Sequence, residues 1–268
     1  MQNAIIGVAG CGRMGLGMLR CLRRANFSAR GLDIRSGIGP EVTTDAGTFA
    51  TGLTTLVTVV RDAEQTDAVL FGAQGIVARA PGLRHILVCS TLSPRYVLQL
   101  QDRVPTAITL IDAPMSGAQS GADAGTLSFM LGGDAAGLDA VQPLIDAMGR
   151  VSHRMGPYGA GMRAKVLNNM IAAASVTTTR LALDWAMEGG LDPRAFLDLV
   201  NDSSGQTWFS SGFDRIEFAR DGLADDNSIG ILAKDVAAAL DAAPPGADTS
   251  LPEKLRAAIL SLGPLDGV

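Results

Sequence analysis

The stretch AIIGVAGCGRMG, residues 4–15, decides the fold of the first half of this sequence. Its apolar run AIIGV predicts a buried strand, and the glycines of a Gly-x-Gly-x-x-Gly pattern follow at Gly10, Gly12 and Gly15. Such glycines permit a tight turn, close approach of a phosphate to the backbone, and packing of the next helix on the strand. Because the N-terminus of that helix offers free N–H groups to a pyrophosphate, the stretch predicts a dinucleotide-binding loop.

The end of the second predicted strand supports this interpretation. Asp33 lies near the end of the run SARGLDI, 18 residues after Gly15, where a carboxylate can hold the hydroxyls of a ribose. Arg35 follows two residues later, and a guanidinium there could instead meet a 2′-phosphate. We therefore expect NAD as the cofactor, with NADP as the alternative. The competing structural interpretation is a turn that is merely rich in glycine.

The order of the predicted elements gives the fold class. Short apolar runs alternate with helical segments up to about residue 156, which is typical of βαβ units on a mostly parallel sheet. A long Ala-rich stretch without proline, from Ala160 to about Gly189, then predicts a long helix. The later segments Pro193–Val200, Phe209–Arg220, Ile229–Ala242 and 252–262 are also helical in pattern. We expect an α/β, Rossmann-type doubly wound domain over residues 1–158, followed by an all-α domain over residues 159–268.

Composition argues against several classes of function. The 268 residues include 22 basic and 27 acidic side chains, and a net charge of −5 argues against a binder of nucleic acids or anionic membranes. No apolar run approaches the ~20 residues that span a bilayer, and the start lacks the basic segment of a signal peptide. The three cysteines and two histidines form no metal-ligand pattern. We expect a cytoplasmic protein with reduced, buried cysteines and no metal.

Two further segments could carry chemistry. Ser116, Gly117 and Ala118 offer a hydroxyl and successive backbone N–H groups that could hold a carboxylate, although a plain tight turn is the more common structure for such a segment. Lys165 and Asn169 are four residues apart and therefore share one face of the long predicted helix. A lysine with its stem on apolar neighbours and its ammonium in water would also explain that position.

Two late positions complete the set of candidates. Lys234 and Asp235 open an apolar predicted helix, where exposed charge is ordinary. Trp208 ends the turn-like run NDSSGQTW, and it could belong to the core or form the wall of a pocket.

Four segments taken together resemble a known family. The glycine loop, DAPMSG at 112–117, GAGMRAKVLNN at 159–169 and AKD at 233–235 occur in the order and spacing of the β-hydroxyacid dehydrogenases, also called the 3-hydroxyisobutyrate dehydrogenase family. The resemblance covers roughly residues 4–242. It implies an N-terminal Rossmann domain, an all-helical second domain, and an active site between them. It also implies oxidation of a small β-hydroxy acid to its semialdehyde with NAD or NADP, or the reverse reaction.

The resemblance implies a role for each matching residue. Lys165 would be the catalytic acid or base, and Asn169 would orient the substrate. The substrate carboxylate would lie against Ser116, Gly117 and Ala118, and Trp208 would line its pocket. The cofactor site would comprise Gly10, Gly12, Arg13, Met14, Gly15, Asp33, Val60, Arg61, Gln65, Thr91 and Lys234.

The sequence also departs from the family pattern. Val60 and Arg61 stand where the family usually has Leu-Pro, and Ala118 stands where a second glycine is usual. The segment 34–53 is short, so the helix expected there is cut down or missing. An imine reductase-like enzyme and a non-catalytic dinucleotide-binding sensor are the alternative functions. Few charges occur on the long helix between residues 166 and 183, which favours a homodimer or homotetramer.

Overall fold

The computed structural model describes residues 4–224 and 228–268. They form two compact units, residues 1–165 and 166–268, and the division falls inside one long helix. The expected domain limits, 1–158 and 159–268, remain a prediction about where the two domains begin and end. In the described part of the chain no helix is long and apolar enough to cross a membrane.

In the residues that the structure describes, the first unit is built on a nine-stranded sheet in the order β3-β2-β1-β4-β5-β6-β8-β7, with β9 beside β8. Pairing is parallel from β3 to β6, whereas β8 runs antiparallel to β6 and β7. The order 3-2-1-4-5-6 is that of a doubly wound dinucleotide-binding sheet, which confirms the predicted fold class. The strands are β1 Ile5–Ala9, β2 Ser28–Leu32, β3 Val42–Thr43, β4 Thr55–Thr58, β5 His85–Val88, β6 Thr109–Asp112, β7 Met115–Ser116, β8 Leu127–Gly132 and β9 Gly149–Gly156.

Helices cover the sheet, and many begin at a side-chain cap. The helices of this unit are α1 Gly15–Arg24, α2 Ala46–Ala50, α3 Ala63–Leu70, α4 Ile76–Arg79, α5 Pro94–Gln99, α6 Ala118–Ala124, α7 Ala135–Met148 and the start of α8, Ala160–Glu188. The carboxylates of Asp45, Asp62 and Asp134 accept N–H bonds at the starts of α2, α3 and α7, as expected of N-cap residues.

The sheet is buried on both faces. Ile6 and Val8 belong to one apolar cluster, whereas Ala9 and Leu56 belong to another, because successive side chains of a strand point to opposite faces. Such burial is usual for parallel sheets, and it explains the continuous apolar runs of the sequence. The cysteines Cys11, Cys21 and Cys89 are free and buried, as expected.

Within its described residues the second unit contains helices joined by turns and loops, and no strand. It contains the rest of α8 together with α9 Pro193–Asn201, α10 Trp208–Gly212, α11 Ser228–Asp241 and α12 Ser250–Leu260. Its own core holds apolar side chains from all of these elements. Arg180 of α8 is buried in this unit and donates to the backbone oxygens of Asp221 and Gly263.

Several predicted elements were wrong or missed. The predicted helix Phe209–Arg220 ends at Gly212, because the chain turns there and again near Ile216, with N–H bonds from Arg215 to Gly212 and from Ala219 to Ile216. These turns let Phe213 pack edge-on against Phe209, with ring centres 5.6 Å apart. The short elements β3, β7, α4 and α6 and the strand β9 were not predicted. The described residues of the shortened 34–53 segment contain the two-residue strand β3 and one helix, the five-residue α2, which confirms the predicted trimming of that helix.

Candidate active site

The glycine loop joins β1 to α1 at the carboxyl edge of the sheet. Gly10 has φ +92°, and a Cβ there would lie 2.4 Å from the Val59 oxygen. A Cβ at Gly15 would lie 1.9 Å from the oxygen of Gly10, so both positions require glycine. At Gly12 the nearest such neighbour is an Arg35 nitrogen at 3.6 Å, which leaves the backbone open on that side. The space beside Gly12 therefore fits the close approach of a dinucleotide phosphate.

Asp33 lies directly after β2 and carries a buried carboxylate that is paired with Arg35. The Arg35 backbone N–H donates to Oδ1 at 3.0 Å, and its guanidinium donates to Oδ1 at 3.0 Å and to Oδ2 at 3.2 Å. Burial acts to raise the pKa of Asp33, but the hydrogen bonds and charge of Arg35 outweigh it, so that the pKa lies below its ordinary value. Arg35 itself is 63% exposed. The ion pair is therefore exposed on its basic side.

A cavity of about 300 Å³ opens beside this pair. Its lining includes Gly12 together with Arg13, Arg20 and Arg35, so three guanidinium groups surround one end of the loop. Arg20 also forms a 3.4 Å ion pair with Glu41. The cavity suits the phosphate and ribose groups of a dinucleotide.

The other predicted cofactor residues follow neighbouring strands. Val60 follows β4 and donates its N–H to Ser90 Oγ at 2.9 Å, while Arg61 donates its N–H to Gln65 Oε1 at 3.1 Å. Thr91 follows β5 and is half-buried. Since parallel strands end at the same edge of a sheet, the structure brings these residues to the edge that carries the glycine loop. Met14 lies in the loop itself, immediately before α1.

Lys165 is buried rather than extended into water. It is 6% exposed, and its Nζ donates to Ser116 Oγ at 2.9 Å. A buried ammonium is costly unless polar groups surround it. The contact with Ser116 therefore shows that Lys165 belongs to a buried polar site and is not a surface lysine. The two residues are 49 positions apart in the sequence, and the fold alone brings them together.

The residues after Ser116 have an unusual backbone. Gly117 has φ +139° and Ala118 has φ +54°, so an alanine occupies the left-handed region at the start of α6. A non-glycine residue in that region is strained, and such strain concentrates at functional sites. The predicted segment Ser116–Ala118 is therefore a special turn and not an ordinary connection.

The second unit holds a separate polar group. Asn169 Nδ2 donates to Asp235 Oδ2 at 2.6 Å, and Lys234 Nζ lies 3.5 Å from Asp235 Oδ1. Asp235 is 1% exposed, so the interpretation of this pair as ordinary exposed charge was wrong for the aspartate. Asp235 also holds the amide of Asn169 in one orientation, a contact that sequence spacing could not reveal.

Trp208 is the first residue of α10, where Thr207 forms a capping box with Ser210. Its side chain is 56% exposed and lines a cavity of about 590 Å³ together with Gln206 and Arg215. Trp208 is therefore a cavity wall rather than a core residue.

A buried carboxylate that the motif analysis did not assign completes the first unit's site. Asp112, the last residue of β6, is 0% exposed. It accepts N–H bonds from Gly159 at 2.7 Å and from Met162 at 2.5 Å, at the start of α8. Its place at the head of the DAPMSG segment was the only sequence feature that could have indicated it.

Two family models match this chain. Residues 5–159 match a model described as the NAD binding domain of 6-phosphogluconate dehydrogenase. Residues 159–254 match one described as NAD-binding of NADP-dependent 3-hydroxyisobutyrate dehydrogenase. The chain belongs to the 3-hydroxyisobutyrate dehydrogenase, or β-hydroxyacid dehydrogenase, family. Membership makes it an oxidoreductase that binds NAD or NADP.

Individual family members agree with this assignment. A 3-hydroxyisobutyrate dehydrogenase of Pseudomonas aeruginosa is 31% identical over 76% of this chain and 71% of its own length. An L-threonate dehydrogenase of Cupriavidus necator is 29% identical over 89% of this chain and 83% of its own. Among solved structures, the 3-hydroxyisobutyrate dehydrogenase of Mycobacterium tuberculosis with L-serine has a TM-score of 0.80 at 24% identity, covering 97% of this chain and 96% of that one. This last likeness shows that the fold is shared.

The strained alanine allows a direct test of the turn that follows Ser116. We expect Ala118→Gly to raise the free energy of unfolding by about 1 kcal/mol, because glycine adopts a positive φ without a Cβ clash. Ala124→Gly, at an exposed helical position of the same helix, should lower it by up to about 1 kcal/mol. Urea denaturation followed by circular dichroism measures both changes. Destabilisation by both variants would contradict the assigned backbone.

Proposed function

We propose that this protein transfers hydride between NAD or NADP and a small β-hydroxy acid or its semialdehyde, in the manner of 3-hydroxyisobutyrate dehydrogenase. The observation that carries the proposal is the buried Lys165 ammonium on the Ser116 hydroxyl, in the unit that carries the dinucleotide loop. The names of the relatives, which refer to 3-hydroxyisobutyrate and L-threonate, describe small hydroxy acids. We also propose a cytoplasmic location, which a cofactor-dependent enzyme with three reduced thiols suits.

In this proposal Lys165 moves the proton of the reaction. When bound, the nicotinamide supplies the hydride acceptor or donor. During oxidation the substrate hydroxyl gives its proton to neutral Lys165 Nζ, and during reduction charged Lys165 returns a proton to the carbonyl oxygen. The Ser116 hydroxyl fixes the direction of Nζ, and a fixed acid or base converts orientation into rate.

The neighbouring residues bind and orient the substrate. Ser116 and the N–H groups of Gly117 and Ala118 hold its carboxylate, since their turn presents a hydroxyl and backbone donors together. Asn169 orients the substrate through the amide that Asp235 holds in place. By the family resemblance, Lys234 would meet the nicotinamide end of the cofactor, and Trp208, which lines a cavity within its own unit, would form a wall of the substrate pocket.

The proposed cofactor preference is for NAD. Asp33 is a fixed carboxylate that accepts bonds from a ribose diol and repels a 2′-phosphate. Arg35 pairs with it, but the Arg35 side chain is 63% exposed, so a ribose can displace the guanidinium. The same guanidinium makes NADP an accepted second cofactor, because it can pair with the added phosphate.

A single activity assay distinguishes the proposed function from two alternatives. A non-catalytic sensor binds NADH without turnover of any hydroxy acid. An imine reductase-like enzyme reduces cyclic imines faster than semialdehydes, whereas a buried lysine beside a hydroxyl suits alcohol chemistry. A spectrophotometric panel of 3-hydroxyisobutyrate, L-serine, L-threonate and a cyclic imine, each with NAD(H) and NADP(H), distinguishes the three.

We also propose that the protein is a homodimer or homotetramer joined through α8. Its exposed apolar side chains Leu167, Ile171, Leu181 and Trp185 recur at coiled-coil spacing along one face. A face of this kind is self-complementary in a symmetric pair, so a second copy of the chain is the proposed occupant.

The oligomer has a simple test. We expect light scattering at micromolar concentration to give a mass of two or four chains, and Trp185→Glu to reduce it. Leu251→Glu, at a side chain that is 74% exposed but lies on α12, serves as the control and should leave the mass unchanged. A wild-type monomer would remove this part of the proposal.

Cofactor choice has a paired test. We expect Arg35→Ser to raise the ratio of kcat/KM for NAD over NADP by ~10-fold, because the 2′-phosphate loses a charge-assisted contact. Asp33→Ser should lower the same ratio. Arg84→Ser, at the opposite edge of the sheet just before β5, is the matched control. A wild-type ratio at or below one would show that Asp33 does not set the preference.

The role of Lys165 is tested by its removal. We expect Lys165→Ala to lower kcat by ~10²–10⁴, the usual contribution of a general acid or base, while the Kd for NADH changes little. Fluorescence titration of NADH and steady-state kinetics measure the two quantities. Near wild-type kcat in this variant would contradict the proposed mechanism.

A further inference from the structure

The Asp112 carboxylate is a buried anion that the proposed mechanism does not use. It is 0% exposed, and no Lys or Arg side chain within the described residues forms an ion pair with it. Its charge is balanced by backbone donors, since Gly159 N–H reaches Oδ1 at 2.7 Å and Met162 N–H reaches Oδ2 at 2.5 Å. The same donors carry the partial positive charge of the α8 N-terminus.

The backbone around this carboxylate is fitted closely to it. A Cβ at Gly132 would lie 2.2 Å from Asp112 Oδ1. A Cβ at Gly161 would lie 2.3 Å from the Met130 oxygen and 2.9 Å from Asp112 Oδ2. The backbone at Gly132 and Gly161 therefore lies directly against the carboxylate, and the start of α8 is held against the ends of β6 and β8.

The hydrogen bonds of Asp112 connect the two chain segments that carry Lys165 and Ser116. Lys165 lies three residues after Met162, one turn further along α8. Ser116 lies four residues after Asp112 along the chain. Asp112 thus connects the helix that carries Nζ to the strand that leads to Oγ, and these two atoms are 2.9 Å apart.

We infer that Asp112 is a positioning residue for Lys165, holding the first turn of α8 so that the ammonium meets Ser116 and the substrate oxygen. The inference rests on the proposed function, in which Lys165 transfers the proton. Because proton transfer requires hydrogen-bond distance, a shift of about 1 Å in the helix start lowers the rate by ~10²-fold.

The decisive variant is Asp112→Asn. An asparagine keeps the shape but offers one acceptor oxygen, and its NH₂ group faces a backbone N–H donor. Asp134→Asn is the matched control, because Asp134 caps α7 with a 2.7 Å bond from Gly137 and α7 carries no candidate site residue. Should Asp112→Asn fail to fold, Asp112→Ser, which retains one acceptor in a smaller side chain, takes its place.

The kinetic arm is a double-mutant cycle with Lys165→Ala. We expect Asp112→Asn to lower kcat by ~10–10²-fold with the Kd for NADH unchanged, and to cause no further loss in the Lys165→Ala background. Asp134→Asn should leave kcat unchanged. Equal kcat for the Asp112 and Asp134 variants, or an equal loss in both backgrounds, would overturn the inference.

A second experiment, chemical labelling of Lys165, does not depend on enzyme turnover. Brief acetylation with acetic anhydride, read by mass spectrometry, should modify Lys165 several-fold faster in Asp112→Asn than in wild type, with the exposed Lys254 as internal reference. Unchanged labelling of Lys165 overturns the inference. A Lys165→Ala variant that keeps its kcat instead overturns the proposed function, so the two failures are distinguishable.

Discussion

A carboxylate withdrawn from water needs hydrogen-bond donors, and Asp112 finds them in the backbone at the start of α8. Gly132 and Gly161 let the main chains come close enough to the carboxylate for these bonds to form. The position of α8 on the sheet follows from this, and with it the burial of Lys165. The Asp112 carboxylate at the end of β6 and the Lys165 ammonium on α8 are therefore held in place by the same set of contacts.

Asp112 and Asp33, the two buried aspartates described in the first unit, are stabilised as anions in different ways. Burial raises the pKa of Asp112, and the backbone N–H bonds that oppose this shift cannot move away without unwinding a helix. Asp33 is paired with Arg35, a side chain that is 63% exposed. The first arrangement suits a permanent part of the framework, and the second suits a position that must exchange one partner for another.

Local sequence patterns predicted the strands, helices and glycine loop of the first unit because the residues that define them lie close together in the sequence. The glycine loop, the acidic end of β2 and the alternation of strands with helices all follow from spacing within about one βαβ unit. The contact between Lys165 and Ser116 spans 49 residues, so spacing alone left the lysine with a surface interpretation as well. Only the family resemblance assigned it a role in the sequence.

Tertiary contacts between segments distant in the sequence account for most of what was missed. The burial of Asp235 depends on α11 packing beside Asn169, and no local pattern distinguishes that aspartate from an exposed one. The turns after Gly212 go with the edge-on packing of Phe213 against Phe209, a tertiary contact that the helical spacing of the segment does not indicate. Ala118 adopts a positive φ that its residue type disfavours, so propensity indicates the wrong backbone there.

Cys11 lies within the glycine loop itself, where a reactive thiol would expose the cofactor region to oxidants. Burial and the neighbouring Asp33 charge raise its pKa to about 12, and burial raises the pKa of Cys89 as well. A thiol that keeps its proton is a poor nucleophile and a poor target for peroxide. Cys11 therefore stays protonated at neutral pH, and we expect it to react slowly with peroxide and with alkylating reagents that target thiolates.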